Sequence, residues 1–251
     1  MYKRKHYLYF IFLFFTFSSV VVVSTSSTSN SPALSVQTKY ELDVQQLSFQ
    51  VVKLNAAISL YLKDKKALPL LQLEFCKTRL AYKKAEIFIE YFNKDLAQKF
   101  FNGAPLPKMM QGVDWIEVQE PEGLQVLDEI IFSDSIDSNL LKEKGKSFVK
   151  NITDFSANRN INIQDRNVFE AARIELIRVF TLGLTGFDAP ASGNSMEEAY
   201  VSLLSVQKAI QPYSSMIKSR NRPTADSLNL LLKEGLKYLQ KNNDFHKFDR
   251  M

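Results

Sequence analysis

Cysteine and histidine are the scarcest reactive residues in this sequence, which has one cysteine and two histidines among 251 residues. The single cysteine, Cys76, excludes an internal disulfide. Covalent attachment of a c-type haem needs the pattern Cys-x-x-Cys-His, because two thiols bond the porphyrin and the histidine binds the iron. The residues that follow Cys76 are Lys-Thr-Arg-Leu, so this sequence holds no c-type haem site. We interpret Cys76 as a small packed residue rather than a nucleophile.

Glycine, proline and charge of one sign are also limited, and each limit excludes a class of protein. Glycine and proline occur eight times each, no stretch alternates convincingly with period two, and no glycine-rich nucleotide loop is present. The net charge is only +5, with several positive charges in the first six residues, so nothing indicates nucleic-acid binding. The sequence is 45% apolar and 24% charged, which is the composition of a chain that buries a globular core.

The N-terminus has the pattern of an export signal. Basic residues at positions 3–5 precede an apolar run from Tyr7 to Val23, and a Ser/Thr-rich tract follows. Positive charge before an apolar run directs the rest of the chain outward. We predict that residues 1–31 form a cleaved signal peptide, or an uncleaved membrane anchor, with a flexible tether. Residues 32–251 are predicted to be a folded domain in the periplasm or cell envelope.

Apolar residues recur at steps of three and four through most of the remaining chain, which is typical of amphipathic helices. Tyr40, Val44 and Leu47 begin such a seam. The predicted fold class is therefore all-α, built from two packed helical bundles. The predicted helices run over Val36–Leu62, Pro69–Phe92, Pro121–Phe132, Ser138–Thr153, Gln164–Leu182, Ser195–Ile210 and Pro223–Gln240.

Two connections between these helices carry specific expectations. The segment from Asn102 to Glu120 is predicted to be an irregular crossing that Trp115 anchors against the bundle. The glycine-rich segment Gly183–Asn194 is predicted to be a tight interhelix connection rather than a phosphate cradle. Ser195 and Glu198 have the spacing of a capping box at the start of the next helix.

A proline-led acidic turn precedes the short helix predicted at Pro121. Pro121 suits the first helical position because it lacks the N–H that would be unpaired there. Glu120 and Glu122 place negative charge where the helix dipole is positive. Gln125 and Asp128 are three residues apart and therefore lie on the same side of this helix.

Three blocks of this sequence occur in an order found in a known family. The blocks are residues 78–86 (TRLAYKKAE), 120–129 (EPEGLQVLDE) and 182–188 (LGLTGFD). Together they resemble the helical N-terminal domain that is fused to some bacterial di-haem cytochrome c peroxidases. That domain is itself similar to the imelysin group of periplasmic proteins. The resemblance extends from about Tyr40 to Met251, and no single block would be sufficient alone.

The resemblance implies a non-catalytic accessory domain. In the resembled peroxidases the two haem domains would begin after Phe248-Asp249-Arg250, where this sequence stops. The haem and the peroxidase activity would then belong to a partner, either a di-haem peroxidase domain or another redox protein of the envelope. The chain itself would carry no haem, and its N-terminus would tether it to the membrane if it is not cleaved.

A metal site is the alternative that the same resemblance implies. Imelysin-like proteins carry a Gly-x-His-x-x-Glu motif, which places a histidine and a carboxylate one helical turn apart. Aligned on Gly123, this chain has Gln125 and Asp128 at those places, so a site for a divalent or ferric ion would be degenerate. The missing histidine also disfavours a peptidase. The candidate metal ligands are Asp128, Glu122, Gln125 and Glu86, with Glu90 as a further oxygen donor.

The charged face of the second helix has a structural interpretation as well. Arg79, Tyr82, Lys83, Glu86 and Glu90 share this face, and the spacing allows Lys83 to pair with Glu86. A buried polar network that links these residues to the helix predicted at Pro121 would explain both blocks without any substrate.

Overall fold

The computed structural model describes residues 31–111, 116–158 and 160–248. The predicted export segment before Ser31 and the anchoring role predicted for Trp115 lie outside these residues. Ser31–Met251 group into one compact unit. Among the helices that the structure describes, none combines the length and the apolar character needed to cross a membrane.

A long helical hairpin forms the first part of the fold. Helix α1 spans Pro32–Lys63 and helix α2 spans Leu68–Phe92, joined by a short 3-10 turn at Lys65–Ala67. The hydroxyl of Ser31 accepts a hydrogen bond from the backbone N–H of Leu34 at 3.2 Å, which caps the start of α1. Both helices predicted from the apolar seams are thus confirmed, each within a few residues.

The remaining helices surround α2. One group is α1, α3 and α4, in which α1 and α3 contact α2 and α4 packs on those two helices. A second group is α5 and α6, which contact α2 and each other, while α8 packs on α6 and α7 packs on α8. The expectation of an all-α fold of packed helices is confirmed, and α2 is common to both groups. These helices are α3 (Leu124–Ile131), α4 (Ser138–Asn158), α5 (Asp165–Arg178), α6 (Ser195–Ile210), α7 (Ser214–Arg220) and α8 (Arg222–Lys241).

A small β-hairpin interrupts the helical pattern. Strands β1 (Lys108–Gln111) and β2 (Ile116–Gln119) pair antiparallel, with Lys108 opposite Gln119. The prediction of an irregular crossing between Asn102 and Glu120 was therefore wrong for this part. Met109 and Val118 are largely exposed. The sequence shows no clear apolar alternation that continues through both strands, so it did not predict them.

Helix α3 begins at Leu124, so the predicted start at Pro121 was wrong. Gly123 has φ of +100° and its backbone pairs with Asn102 in an isolated bridge. A Cβ at this position would lie 2.5 Å from the carbonyl oxygen of Phe101, so glycine is required by both conformation and space. This pairing keeps the backbone at Gly123 in a bridge to Asn102, so the helix begins only at Leu124. The acidic residues Glu120 and Glu122 therefore lie before the first turn of the helix.

Helix α5 changes its winding before it ends. Its regular part stops at Arg178, and the residues Val179–Gly183 form a π-helical turn. Gly183 packs close to α6, since a Cβ there would lie 3.3 Å from the Cβ of Ala199. Such turns recur at functional sites because they re-aim side chains. The predicted continuous helix to Leu182 is thus corrected, with the break falling beside the cluster described next.

Candidate functional site

A stripe of charged residues on α2 is buried in the middle of the fold. Arg79, Lys83, Glu86 and Glu90 recur at steps of four, three and four, so they follow one face of the helix. Their exposed fractions are 1%, 4%, 1% and 6%. Charged side chains are almost never this buried unless they are paired, and α2 is covered here by α5 and α6.

Arg79 connects α2 to α6 and to the connection before α6. Its guanidinium donates to both carboxylate oxygens of Glu198, with Nη2 at 2.8 Å from Oε2. Nη2 also donates to the backbone carbonyl of Asp188. A two-point contact of this kind fixes both distance and direction.

Lys83 continues the contacts one turn further along α2. Its Nζ donates to Glu86 Oε2 at 2.8 Å and to Asp188 Oδ2 at 2.6 Å. The other oxygen of Asp188 accepts from Gln125 Nε2 at 3.1 Å and from Asn102 Nδ2 at 3.5 Å. The pairing of Lys83 with Glu86 and the link to Gln125 on α3 confirm the predicted polar network across the bundle.

Arg178 completes the cluster from the end of α5. Its Nη2 lies 2.9 Å from Glu86 Oε1 and 3.2 Å from Glu90 Oε1, and its Nε lies 3.7 Å from Glu175 Oε2. Positive and negative groups therefore alternate along one connected path through the core. We call this path the central ion-pair network; its members are Arg79, Lys83, Glu86, Glu90, Glu175, Arg178, Asp188 and Glu198.

The central ion-pair network contains three cations and five carboxylates, and its surroundings shift the pKa values of these carboxylates in different directions. Burial is the largest influence on the pKa values of Glu86 and Asp188 and raises both, but the nearby cations together outweigh it. Lys83 and Arg178 lower the pKa of Glu86, and Lys83, Arg79 and Arg178 lower that of Asp188, so both pKa values lie below the ordinary range. Burial dominates at the other end, where it raises the pKa of Glu90 to about 7 and that of Glu175 to about 8. Asp188 and Glu86 are therefore held as carboxylates, while Glu90 and Glu175 bind protons readily.

The predicted capping box at Ser195 was wrong. Ser195 lies inside the first turn of α6, after Asn194, and the carboxylate of Glu198 pairs with Arg79 instead of capping the helix. The hydroxyl of Ser195 is buried without a hydrogen-bond partner. A buried guanidinium attracts a carboxylate more strongly than a backbone N–H does, so the long-range contact takes the place of the local one.

Asp128 and Gln125, the candidate metal ligands on α3, hold the connection between α5 and α6. Asp128 is fully buried, and its Oδ2 accepts from the backbone N–H groups of Ala191 and Ser192 at 2.9 and 3.2 Å. Gln125 donates to Asp188 as described above. One oxygen of each, Asp128 Oδ1 and Gln125 Oε1, is buried without a hydrogen-bond partner.

The other candidate ligands lie among different partners. Glu122 Oε2 accepts from Ser147 Oγ at 2.8 Å and from Asn151 Nδ2 at 3.2 Å, both on α4. Glu86 lies inside the central ion-pair network against Lys83 and Arg178. In the part of the chain that the structure describes, no group of three or more histidine, cysteine or acidic residues is arranged to hold a metal ion.

Cys76 lies half-buried one turn before Arg79 and accepts a hydrogen bond from Asn194 Nδ2 at 2.9 Å. Burial raises the pKa of this thiol to about 11, so the reactive thiolate is scarce at neutral pH. This is consistent with the packing role expected from the sequence.

Several residues of the central ion-pair network were not singled out by sequence reasoning. Asp188 lies in the segment that was predicted to be only a tight connection between helices. Arg178 lies in a predicted helix, and no separate role was predicted for it. Glu175 did give a signal, because it occupies the inward position of α5 in step with Val168 and Ala172. A charged residue at an inward-facing position predicts a buried partner.

The arrangement can store charge and protons, but it leaves no space for an organic substrate. The enclosed cavity beside Glu175 has a volume of about 10 Å³. A larger open groove of about 470 Å³ lies elsewhere, between Phe100 and Asn151, outside the central ion-pair network. No family model matches this chain, and no curated protein is significantly similar to it.

Proposed function

We propose that this chain is an exported, non-catalytic helical accessory domain that associates with a di-haem cytochrome c peroxidase or a related redox partner in the cell envelope. One observation carries the proposal, which is the meeting of the three sequence blocks that resemble the peroxidase-associated domain. Lys83 comes from the first block, Gln125 from the second and Asp188 from the third, and Asp188 is hydrogen-bonded to both of the others. A resemblance spread over three distant blocks is explained if they build one structural unit.

The contacts within the network support a structural role rather than a catalytic one. Arg79 and Lys83 direct their donors at carboxylates and backbone of the same chain, and both side chains are almost fully buried. A catalytic group must reach a substrate atom, directly or through one water molecule. The network instead connects α2, α3, α5 and α6, which holds the outer surface of the domain in a fixed shape.

An apolar surface on the outer side of the same region supports a docking role. Ile177, Phe180 and Phe187 are 57%, 72% and 53% exposed, around the π-helical turn and the connection that follows it. The three residues lie close together in the chain, and exposed large apolar side chains are typical of protein interaction sites when they form one patch. The central ion-pair network lies directly behind this turn through Arg178, so the docking surface would be rigidly supported.

The test is capture of a haem protein by the tagged full-length chain, expressed with its own export signal in a cell that makes a di-haem cytochrome c peroxidase. After cross-linking of the envelope and purification through the tag, a denaturing gel is stained for covalent haem. We expect a c-type haem protein to be captured. Phe180→Ser should lower the captured amount about tenfold or more, as loss of an exposed aromatic anchor does.

Phe49→Ser is the matched control, because Phe49 is 63% exposed but lies on α1. It should leave capture unchanged. Equal capture by wild type, Phe180→Ser and the control would show that this surface is not the docking site. Absence of any haem-staining band, with the wild-type chain folded and exported, would contradict the proposed partner class.

The second candidate function is an imelysin-like metal-binding protein with a degenerate site. It is favoured by the two unpartnered buried oxygens, Asp128 Oδ1 and Gln125 Oε1, which stand one turn apart where the family motif has its ligands. The donor set fits only in part, because hard cations take six to eight oxygen ligands and Glu122 and Glu86 lie among other partners. This candidate therefore ranks below the accessory role.

Titration calorimetry with iron and zinc ions separates the two candidates. Under the accessory role, wild type should bind neither ion more tightly than about 100 μM. Under the metal role, binding should be tighter and Asp128→Asn should abolish it while circular dichroism stays unchanged. Gln125→His restores the family ligand; a gain of several-fold or more in affinity would favour the metal role, and no gain would contradict it.

A further inference from the structure

A small cavity lies inside the central ion-pair network, next to the π-helical turn. Its volume is about 10 Å³, close to the space that one water molecule occupies. Val179 and Gly183 of the π-helical turn form part of its wall. The polar groups that line it are Lys83, Glu86, Glu175, Arg178, Asp188 and Ser202.

Glu175 is the most weakly hydrogen-bonded carboxylate among the described members of this network. Its side chain is 1% exposed, and neither Oε1 nor Oε2 receives a hydrogen bond of normal geometry. The Ser202 hydroxyl lies near enough to lower the pKa of Glu175 slightly, but it donates to Glu86. Its nearest cation is Arg178, whose Nε lies 3.7 Å from Oε2. An ionised carboxylate in this position would be desolvated without the compensation that buried charges need.

Arg178 directs its Nη2 at two other carboxylates, and its buried Nε, which faces Glu175, makes no hydrogen bond. Its Nη2 contacts Glu86 at 2.9 Å and Glu90 at 3.2 Å, both closer than Glu175. One positive charge cannot neutralise three negative ones. Glu86 has a second cation in Lys83, and Glu90 has the hydroxyl of Tyr82 at 3.4 Å, which leaves Glu175 as the least compensated of the three.

The charges that face Glu175 from the surrounding helices add to the same conclusion. Helix α2 contributes Lys83 and Glu86, and α5 itself contributes Arg178. The connection before α6 contributes Asp188, and α6 contributes the hydroxyl of Ser202. Glu90 and Glu198 lie further along the network, where they pair with Arg178 and Arg79. With Arg79 included, the described network has three cations and five carboxylates, which is an excess of two negative charges.

We propose that the cavity is a proton-binding site, in which Glu175 is held as the neutral acid and so removes one of the two excess negative charges that the three cations leave. A protonated carboxyl group can donate one hydrogen bond, and the cavity has room for one water molecule to receive it. Burial raises the pKa of Glu175 to about 8, which agrees with this assignment. The inference is independent of the partner proposed above, because it concerns only groups inside this chain.

Infrared difference spectroscopy of the folded full chain tests the proposal. The carbonyl stretch of a protonated carboxyl group lies apart from the bands of carboxylates and of the backbone. We expect wild type at pH 7 to show this band in a buried environment, with a shift in D₂O. Glu175→Gln should remove most of it, and Glu197→Gln is the matched control because Glu197 is an exposed glutamate on α6.

Each outcome decides the assignment. A band that disappears as pH rises to about 9 in wild type, and that Glu175→Gln removes, supports it. Wild type without the band, or a band that Glu175→Gln leaves intact, overturns it. Since glutamine matches the neutral acid in shape, failure of Glu175→Gln to fold also overturns it. A small cation in the cavity predicts a missing band and an unfolding temperature that changes between sodium and potassium buffers, which again overturns it.

Discussion

The two faces of α2 are equally buried but for different physical reasons. On one face, Phe88 packs edge to face on Tyr40 of α1 and stacks on Phe92 one turn further along α2. On the other, Arg79 and Lys83 meet carboxylates from two other segments of the chain. The first face is stabilised by removal of apolar surface from water, which is not directional. The second depends on each charge having a partner at the correct distance.

The difference between these faces determines how each responds to change. An apolar face loses stability in proportion to the volume removed. Replacing both partners of a buried ion pair by apolar residues changes the free energy of unfolding little. Removing only one partner destabilises the fold strongly, because the other charge is left buried and unpaired. The following predictions use this contrast.

The largest effect is expected for Lys83→Met. This change leaves Glu86 and Asp188 without their shared cation in the core, which should lower the free energy of unfolding by about 3–5 kcal/mol. Urea denaturation measures the loss. Lys84→Met, on the same helix but near the surface, is the control and should change stability by about 0.5 kcal/mol or less. A similar small loss for both would mean that the charged face contributes no more than the surface does.

A double variant tests whether the pairing itself matters. Arg79→Met alone leaves Glu198 unpaired, whereas Arg79→Met with Glu198→Leu removes both charges. We expect the double variant to regain about 1–3 kcal/mol of the loss seen in the single variant. The comparison is made from denaturation curves of the two single variants and the double variant. Additive losses would show that the two residues do not interact.

The charged face should also respond to pH, whereas the apolar face should not. Glu90 and Glu175 have pKa values of about 7 and about 8 in the folded chain, above the ordinary value of 4.5. The folded chain then binds more protons than the unfolded chain above pH 4.5, so their contribution to stability is present below that pH and is lost as pH rises to about 8.

The expected slope is up to about 1.4 kcal/mol per pH unit for each such group. It can be measured from urea denaturation at several pH values, and Glu175→Gln should flatten it above pH 7. The pKa values of Glu86 and Asp188 are lowered, so these two groups lose their contribution as pH falls through the acid range. Stability that does not change from pH 6 to 9 would contradict the assignment of raised pKa values.

The smallest effect is expected on the apolar face. Ile89→Val removes one buried methyl group from α2 and should cost about 0.5–1.5 kcal/mol. The loss should be the same at pH 6 and pH 9, because no titrating group changes its partner. A loss that varies with pH would show that the two faces are coupled.

The sequence was sufficient to predict what depends on periodicity. Helices α1 and α2, and the charged stripe from Arg79 to Glu90, follow from steps of three and four. The wrong predictions involve contacts between distant segments. Helix α3 was expected at Pro121, but the pairing of Gly123 with Asn102 shifts its start.

The candidate site shows the same limit. Glu198 has the local spacing of a capping box, but Arg79, 119 residues away, binds it instead. Asp188 becomes the central acceptor only because the connection after the π-helical turn folds back over α2. Neither of these two long-range contacts is encoded in a local sequence pattern, so a single sequence does not predict them.

The long separations within the network constrain the order in which the chain can fold. The contact of Gln50 with Glu74 joins residues 24 apart, whereas that of Arg79 with Glu198 closes a loop of 119 residues. Closing the longer loop loses more chain entropy, so α1 and α2 can associate well before the charges on α2 find their partners. During that interval Arg79 and Lys83 remain hydrated, and their desolvation is deferred to the last stage of assembly, when α6 and the connection before it close over α2.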